Sequence, residues 1–199
     1  ISDTRMRVDL PQPVAAHGGK VRVRIAWHYT VPGEFGGRTD WFPTKNGDIF
    51  EMAQWYPRLC VYDDLRGWDT APYLNNEFYL EYGDFDYSII VPWNMLVVGS
   101  GELVNPEDVL TKTERQRFEQ ARNSDKTVVI RSADEVTNPA SRPKQGGTLT
   151  WHFKMRDTRD VAFGASAAYV WDAARIDLPS GKHAMAQSAY PVESIGKDG

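Results

Sequence analysis

Few side chains in this sequence have the type and spacing that chemistry needs. There are four histidines, His17, His28, His152 and His183, and no two of them stand at a ligand spacing such as His-x-x-x-His. His28 and His152 each fall on the polar face of an expected strand, which suits solvated histidines better than metal ligands. The single cysteine, Cys60, lies between Leu59 and Val61 and reads as buried, inert packing. Gly99-Ser100-Gly101 lacks the Gly-x-Ser-x-Gly spacing of a nucleophile elbow. It also lacks the third glycine and the following helix of a phosphate loop. Asp63-Asp64 and Asp84-Phe85-Asp86 suggest calcium, but the remaining ligands of a calcium loop are missing, so they read as strand-edge acids. Nothing in their spacing supports a glycosidase pair. The aromatics Trp41, Trp55, Tyr56, Trp68 and Tyr73 crowd a loop-rich stretch, where they would form either a sugar-binding surface or a core layer under a long loop.

The chain that must position these groups has 199 residues and a formal net charge of −4. At about 150 residues per domain this predicts a single domain over 1–199. With hydrophobic residues at 41% and aromatics at 12%, it is not a disordered sequence. One cysteine rules out an internal disulfide. The mild negative charge argues against a nucleic-acid binder, whose affinity rests on a basic surface. No apolar run approaches the ~18 residues of a membrane span. Ile1 is not an initiator and the last residues show no closing element, so the sequence reads as a fragment of a longer chain, with no signal peptide at its start.

Period-two alternation dominates. Val21, Val23, Ile25, Trp27 and Tyr29 alternate with Lys20, Arg22, Arg24, Ala26 and His28, which predicts a half-buried strand with a basic outer face, ended at Pro32. Residues 33–50 read as a long loop or irregular hairpin. Glu77 to Val91 gives the strongest strand signal, with a bulge or turn at Gly83-Asp84. Further strands are expected at Met95 to Ser100, Thr127 to Arg131 and Thr148 to Met155, with a loop over Pro139 to Gly147. Asp160 to Ala174 is alanine-rich, yet its alternation favours strand over helix. One helix is expected over about 106–122. It begins at Asn105-Pro106-Glu107-Asp108, and only Leu110, Phe118 and Ala121 can anchor it. The expected fold class is all-β: a sandwich or curved antiparallel sheets with one peripheral surface helix.

One block is distinctive: Phe50-Glu51-Met52-Ala53-Gln54-Trp55-Tyr56-Pro57-Arg58-Leu59-Cys60-Val61-Tyr62-Asp63-Asp64. Its sequel is Gly67-Trp68-Asp69, then Glu77-Phe78-Tyr79-Leu80-Glu81-Tyr82-Gly83-Asp84-Phe85-Asp86. Together these resemble the N-terminal domain of the aminopeptidase N family of zinc metallopeptidases, in its divergent bacterial branch. The resemblance continues through Gly101-Glu102-Leu103-Val104-Asn105-Pro106, Trp151-His152-Phe153-Lys154, Arg159 to Ser166 and Tyr190-Pro191, and runs roughly from Val8 to Ser194.

The resemblance implies a saddle-like β-sandwich that packs against a thermolysin-like catalytic domain and forms one wall of the peptide cleft. It places zinc, the His-Glu-x-x-His motif and the exopeptidase motif in that catalytic domain; none of these motifs occurs here. The fragment alone is then not an enzyme, while its parent is a zinc metallo-aminopeptidase. Relatives of this branch are often exported. The family domain lends a Gln or Glu to the substrate's free α-amine, just upstream of a Phe-Pro-x-x-Asp-like element. Here that element is Tyr56-Pro57 with Asp63 six residues after the proline, a longer interval that leaves Gln54 and Glu51 both as candidates. An amide or carboxylate oxygen suits an ammonium partner. The family domain also has strands before Leu10-Pro11-Gln12-Pro13, so a chain starting at Ile1 would leave a strand edge open to homodimerisation. The alternative is a stand-alone sandwich that binds carbohydrate or a protein partner through Trp41, Trp55 and Trp68.

Overall fold

The computed structural model describes residues 4–33, 37–72 and 78–196; Tyr73 and Glu77 lie outside them. Among the described residues, twelve strands and two α-helices follow in order. They are β1 (Thr39–Phe42), β2 (Ile49–Met52), β3 (Tyr62–Asp63), β4 (Gly67–Trp68), β5 (Gly83–Pro92), β6 (Leu96–Gly99) and β7 (Glu102–Leu103). Then come α1 (Pro106–Val109), α2 (Lys112–Arg122), β8 (Val128–Arg131), β9 (Thr148–Thr158), β10 (Phe163–Ser166), β11 (Tyr169–Asp177) and β12 (His183–Pro191). All the strand pairs are antiparallel. The fold is all-β, with α2 the one helix of more than a single turn among the described residues.

The chain divides into two compact units, residues 1–30 with 56–81 and residues 31–55 with 82–199. In the first, the regular structure is the short β3–β4 pair. The alternation of 20–30 predicted a strand, and the structure corrects this: no residue of that stretch enters a ladder. Alternation supplies a face, but a strand exists only where a second chain segment takes up its backbone groups. Val21 stays 54% exposed and Trp27 46%. Likewise, residues 78–82 stand outside the ladders and the ordered strand starts at Gly83, where a register shift before Phe85 matches the expected bulge.

The second unit holds three sheets, in the orders β1-β2-β10-β6, β12-β11-β8 and β5-β9-β7. Their apolar faces meet in one core around Trp151, Trp171, Leu96, Ile130, Ile49 and Phe118. Burying each such side chain contributes about 1.5–3 kcal/mol. The alanine-rich stretch is strand, as β10 and β11, because its alternate residues Ala165, Tyr169, Trp171 and Ala173 go into that core.

The helical stretch is two helices. Asn105 stands before α1 but its side chain caps nothing there. Instead its Nδ2 donates to the Thr150 carbonyl (2.9 Å) and its Oδ1 accepts the His152 amide (2.9 Å), so it acts as a strand residue on β9. The functional cap is Thr111, which with Glu114 closes a reciprocal capping box at the start of α2. Leu110, Phe118 and Ala121 are the buried anchors, with Phe118 5.2 Å from the Trp171 ring.

Candidate functional site

The motif-bearing segment starts on β2, which lies between β1 and β10. Glu51 sits directly opposite Asp40 on β1 and Gly164 on β10, and Gly164 in turn faces Val98 on β6. Residues opposed in this way share one face of the sheet. Asp40 is buried, and its carboxylate accepts the Gly37 and Trp41 amides. Glu51 is exposed, and its carboxylate has no hydrogen bond or ion pair among the described residues.

Glu51 lies at the rim of an open cavity of about 380 Å³. Val98, Phe163 and Ala189 supply apolar wall, and Gly164 and Tyr169 complete the side toward β11. Tyr169 is 4% exposed, and its phenol makes no hydrogen bond among the described residues. Burial, reinforced by the Glu51 charge, raises its pKa well above the ordinary phenol range. The site thus combines a carboxylate and a hydroxyl that have no partner among the described residues, the Arg38 side of the lining, and an apolar wall. The Glu51 carboxylate can accept hydrogen bonds, Arg38 brings a positive charge to the same lining, and the wall shelters a small apolar group.

Gln54 is outside the lining of this cavity. The Ala53 amide donates to the Arg38 carbonyl (2.8 Å) and the Thr39 hydroxyl donates to the Ala53 carbonyl (2.5 Å), which pins the end of β2. Gln54 then adopts φ 55°, a left-handed conformation that costs a non-glycine residue about 1–2 kcal/mol. On its far side Trp55 is anchored, its indole donating to the Val161 carbonyl (3.2 Å) and standing edge-on to Phe163 at 5.5 Å. The chain bends at Gln54 between two fixed points. The two sequence candidates are therefore separated: Glu51 belongs to the cavity and Gln54 to the turn beside it.

The other chemistry-bearing residues are dispersed. His152 meets Asp86 at 2.5 Å on the outer face of β5 and β9, with Lys154 at 3.3 Å. The His152 hydrogen bond, aided by Lys154, lowers the Asp86 pKa. Ser88 is opposite His152 in the ladder, but the imidazole Nε2 is engaged by Asp86 on a sheet face. Cys60 is half-buried rather than buried. Trp55 belongs to the core layer, Trp41 is half-buried, and Trp68 is 55% exposed beside Tyr62. Among the described residues, no three His, Cys, Asp or Glu side chains come together. No helix among them is long and apolar enough to cross a membrane.

Sequence reasoning passed over Tyr169 and Gly164, which read only as strand positions. The available signal was the glycine inside an alternating run, which marks a close approach of another group. That group is the Tyr169 hydroxyl: a Cβ on Gly164 would lie 2.5 Å from it. No family model, curated protein or solved structure matches the chain.

Proposed function

We propose that this chain is the non-catalytic N-terminal β-domain of a zinc-dependent aminopeptidase-like protein, where it forms one wall of the peptide-binding cleft. The observation that carries this reading is Glu51: a carboxylate with no partner among the described residues, lining a partly apolar cavity, on the strand that opens the motif-bearing segment. A free peptide N-terminus is an ammonium next to a side chain, and the cavity offers a partner for each. On this reading zinc and the general base of peptide hydrolysis belong to the catalytic domain.

The test is paired. The 199-residue chain and a longer protein that includes the catalytic domain are assayed for zinc content and for hydrolysis of aminoacyl anilides. Zinc and hydrolysis in the longer protein alone support the reading. Their absence from both would leave the resemblance structural.

A second reading rests on the β3–β4 hairpin, where Trp68 and Tyr62 are both exposed and stand edge to face at 5.2 Å. Such a pair suits a carbohydrate or protein contact. Quenching or shift of tryptophan fluorescence on titration with oligosaccharides, lost in Trp68→Ala, would favour it. The exposed apolar residues of 20–30 would suit a second copy of the chain, and a light-scattering mass independent of concentration and equal to one chain would sink that dimer.

A further inference from the structure

The stretch from Lys20 to Ala26 carries the alternation of a strand without a partner for its backbone. No helix, turn or bend interrupts the chain from 19 to 33, so it runs extended. The backbone N–H and C=O groups from Lys20 to Ala26 make no hydrogen bond among the described residues. Such a row of unpaired groups is a template on which another extended chain can add. Beside it lies an open cavity of about 660 Å³, bordered by residues 22–25, Trp27 and Tyr56. Neighbours in an extended chain point to opposite sides, so a cavity that borders four in a row follows the backbone edge rather than one face. The cavity also has a sign. Arg22 and Arg24 line it, no carboxylate among the described residues does, and the Arg58 guanidinium lies over the Tyr56 ring at 5.6 Å. Val23 and Ile25, which alternate with the two arginines, are exposed. A strand seated here would meet cations at one set of alternate positions and apolar side chains at the other. A second copy of the same segment would match the apolar set, but only by placing the arginines of both copies on one face, where like charges repel.

We propose that residues 20–26 are a docking edge for an extended acidic segment of another protein, one in which Asp or Glu alternates with apolar residues, added as a strand along this cavity. The partner's backbone hydrogen-bonds the open edge, its carboxylates pair with Arg22 and Arg24, and its apolar side chains cover Val23 and Ile25. This surface lies in the unit of residues 1–30 and 56–81 and does not depend on Glu51 or on the cleft-wall reading.

The experiment titrates the isotope-labelled 199-residue chain with a blocked octapeptide of alternating glutamate and valine, followed by amide chemical shifts and hydrogen exchange. The peptide is expected to shift the amides of 20–27 and to slow exchange at alternate residues of 20–26, as a new ladder does. The same peptide with lysine in place of glutamate is expected not to bind. Nor is one N-methylated at every second amide, which cannot complete the ladder. Arg22→Gln combined with Arg24→Gln is expected to weaken binding about tenfold, the worth of two surface ion pairs, with dispersed spectra reporting that the variant folds. Equal binding of the lysine peptide, or wild-type affinity in the double variant, would overturn the acidic class. Equal binding of the N-methylated peptide would overturn strand addition. No shift at 20–27 would overturn the site. Slowed exchange at 20–26 without peptide, together with a light-scattering mass of two chains, would overturn it in favour of a second copy. The zinc and hydrolysis assays decide the cleft-wall reading separately.

Discussion

Glu114 and Arg131 join α2 to the sheet it packs on. One carboxylate oxygen of Glu114 accepts the Thr111 amide (2.8 Å) and hydroxyl (2.9 Å) and so caps α2; the other accepts from the Arg131 guanidinium on β8 at 2.6 Å. Both side chains are fully buried, at 2% and 1% exposure. A single side chain therefore starts the helix and fixes it to β8. Breaking a buried pair from one side leaves an uncompensated charge, which costs about 3–5 kcal/mol. Glu114→Ala should lower the unfolding free energy by about 3 kcal/mol or more in a urea titration. A loss under about 1 kcal/mol would show that the pair and the cap are dispensable.

Arg142 has a comparable role in a stretch that reads as loop. Its guanidinium donates to the carbonyls of Asn94 (2.7 Å), Val136 (3.1 Å) and Ala167 (3.1 Å), closing the segment between β8 and β9 over the core. Burial, with the nearby Arg131 charge, lowers its pKa to about 10, so the carbonyls are what make the buried cation tolerable. Arg142→Met should destabilise by about 2–3 kcal/mol, because several buried carbonyls lose their donors at once. Arg142→Lys should recover only part of this, since an ammonium cannot reproduce the planar fork. Equal stability of the lysine variant and the wild type would contradict the geometry.

Glu135 should contribute to acid sensitivity. Burial raises its pKa, but the hydrogen bonds from Arg117 and from the Ser132 amide and hydroxyl outweigh it, and the net value lies below the ordinary 4.5. A carboxyl depressed on folding contributes stability that is full above its unfolded pKa and is lost as pH falls through the folded value. The stability difference between wild type and Glu135→Gln should be constant above about pH 5 and shrink below the usual carboxylate range. A difference that grows on acidification would reverse the assigned sign.

Asn105 offers a sharper test of local structure. Its side chain takes the place of a strand partner for the Thr150 carbonyl and the His152 amide. Asn105→Asp keeps the acceptor and removes the donor, and should cost less than Asn105→Ala, which should lose about 1–2 kcal/mol in thermal or urea unfolding. If Asn105 worked as a helix cap instead, aspartate would be as good as asparagine.

Most of the β architecture was legible in the sequence because alternation and burial coincide: β9 alternates Leu149, Trp151 and Phe153 inward, and all three are buried. The same signal failed at Val21 to Tyr29, since alternation says nothing about whether a partner strand is present. The helix anchors Leu110, Phe118 and Ala121 were legible from spacing, but its start was placed at Asn105-Pro106, while Thr111-x-x-Glu114 was the better capping signal. At the site, Glu51 and Gln54 were both readable as candidates by residue type alone. Separating them required the left-handed turn at Gln54 and the ladder position of Glu51, which are tertiary facts. The place of Tyr169 was invisible, because it depends on Gly164, the glycine opposite Glu51 on a strand more than a hundred residues away in sequence.

The turn at Gln54 carries its own prediction. If Gln54 serves only the left-handed bend, Gln54→Gly should be neutral or stabilising by up to about 1 kcal/mol, with the left-handed strain removed and part of the gain lost to glycine's entropy. A marked loss of stability would show that the Gln54 side chain holds the turn.

The most direct test of the central claim is the kinetics of Glu51→Gln in the longer protein that includes the catalytic domain. The account predicts full zinc content and a fall of about tenfold or more in kcat/KM for substrates with a free α-amine, the loss of one charge-assisted contact to the substrate. Unchanged kcat/KM with zinc retained would contradict the claim that this domain holds the peptide's amino terminus.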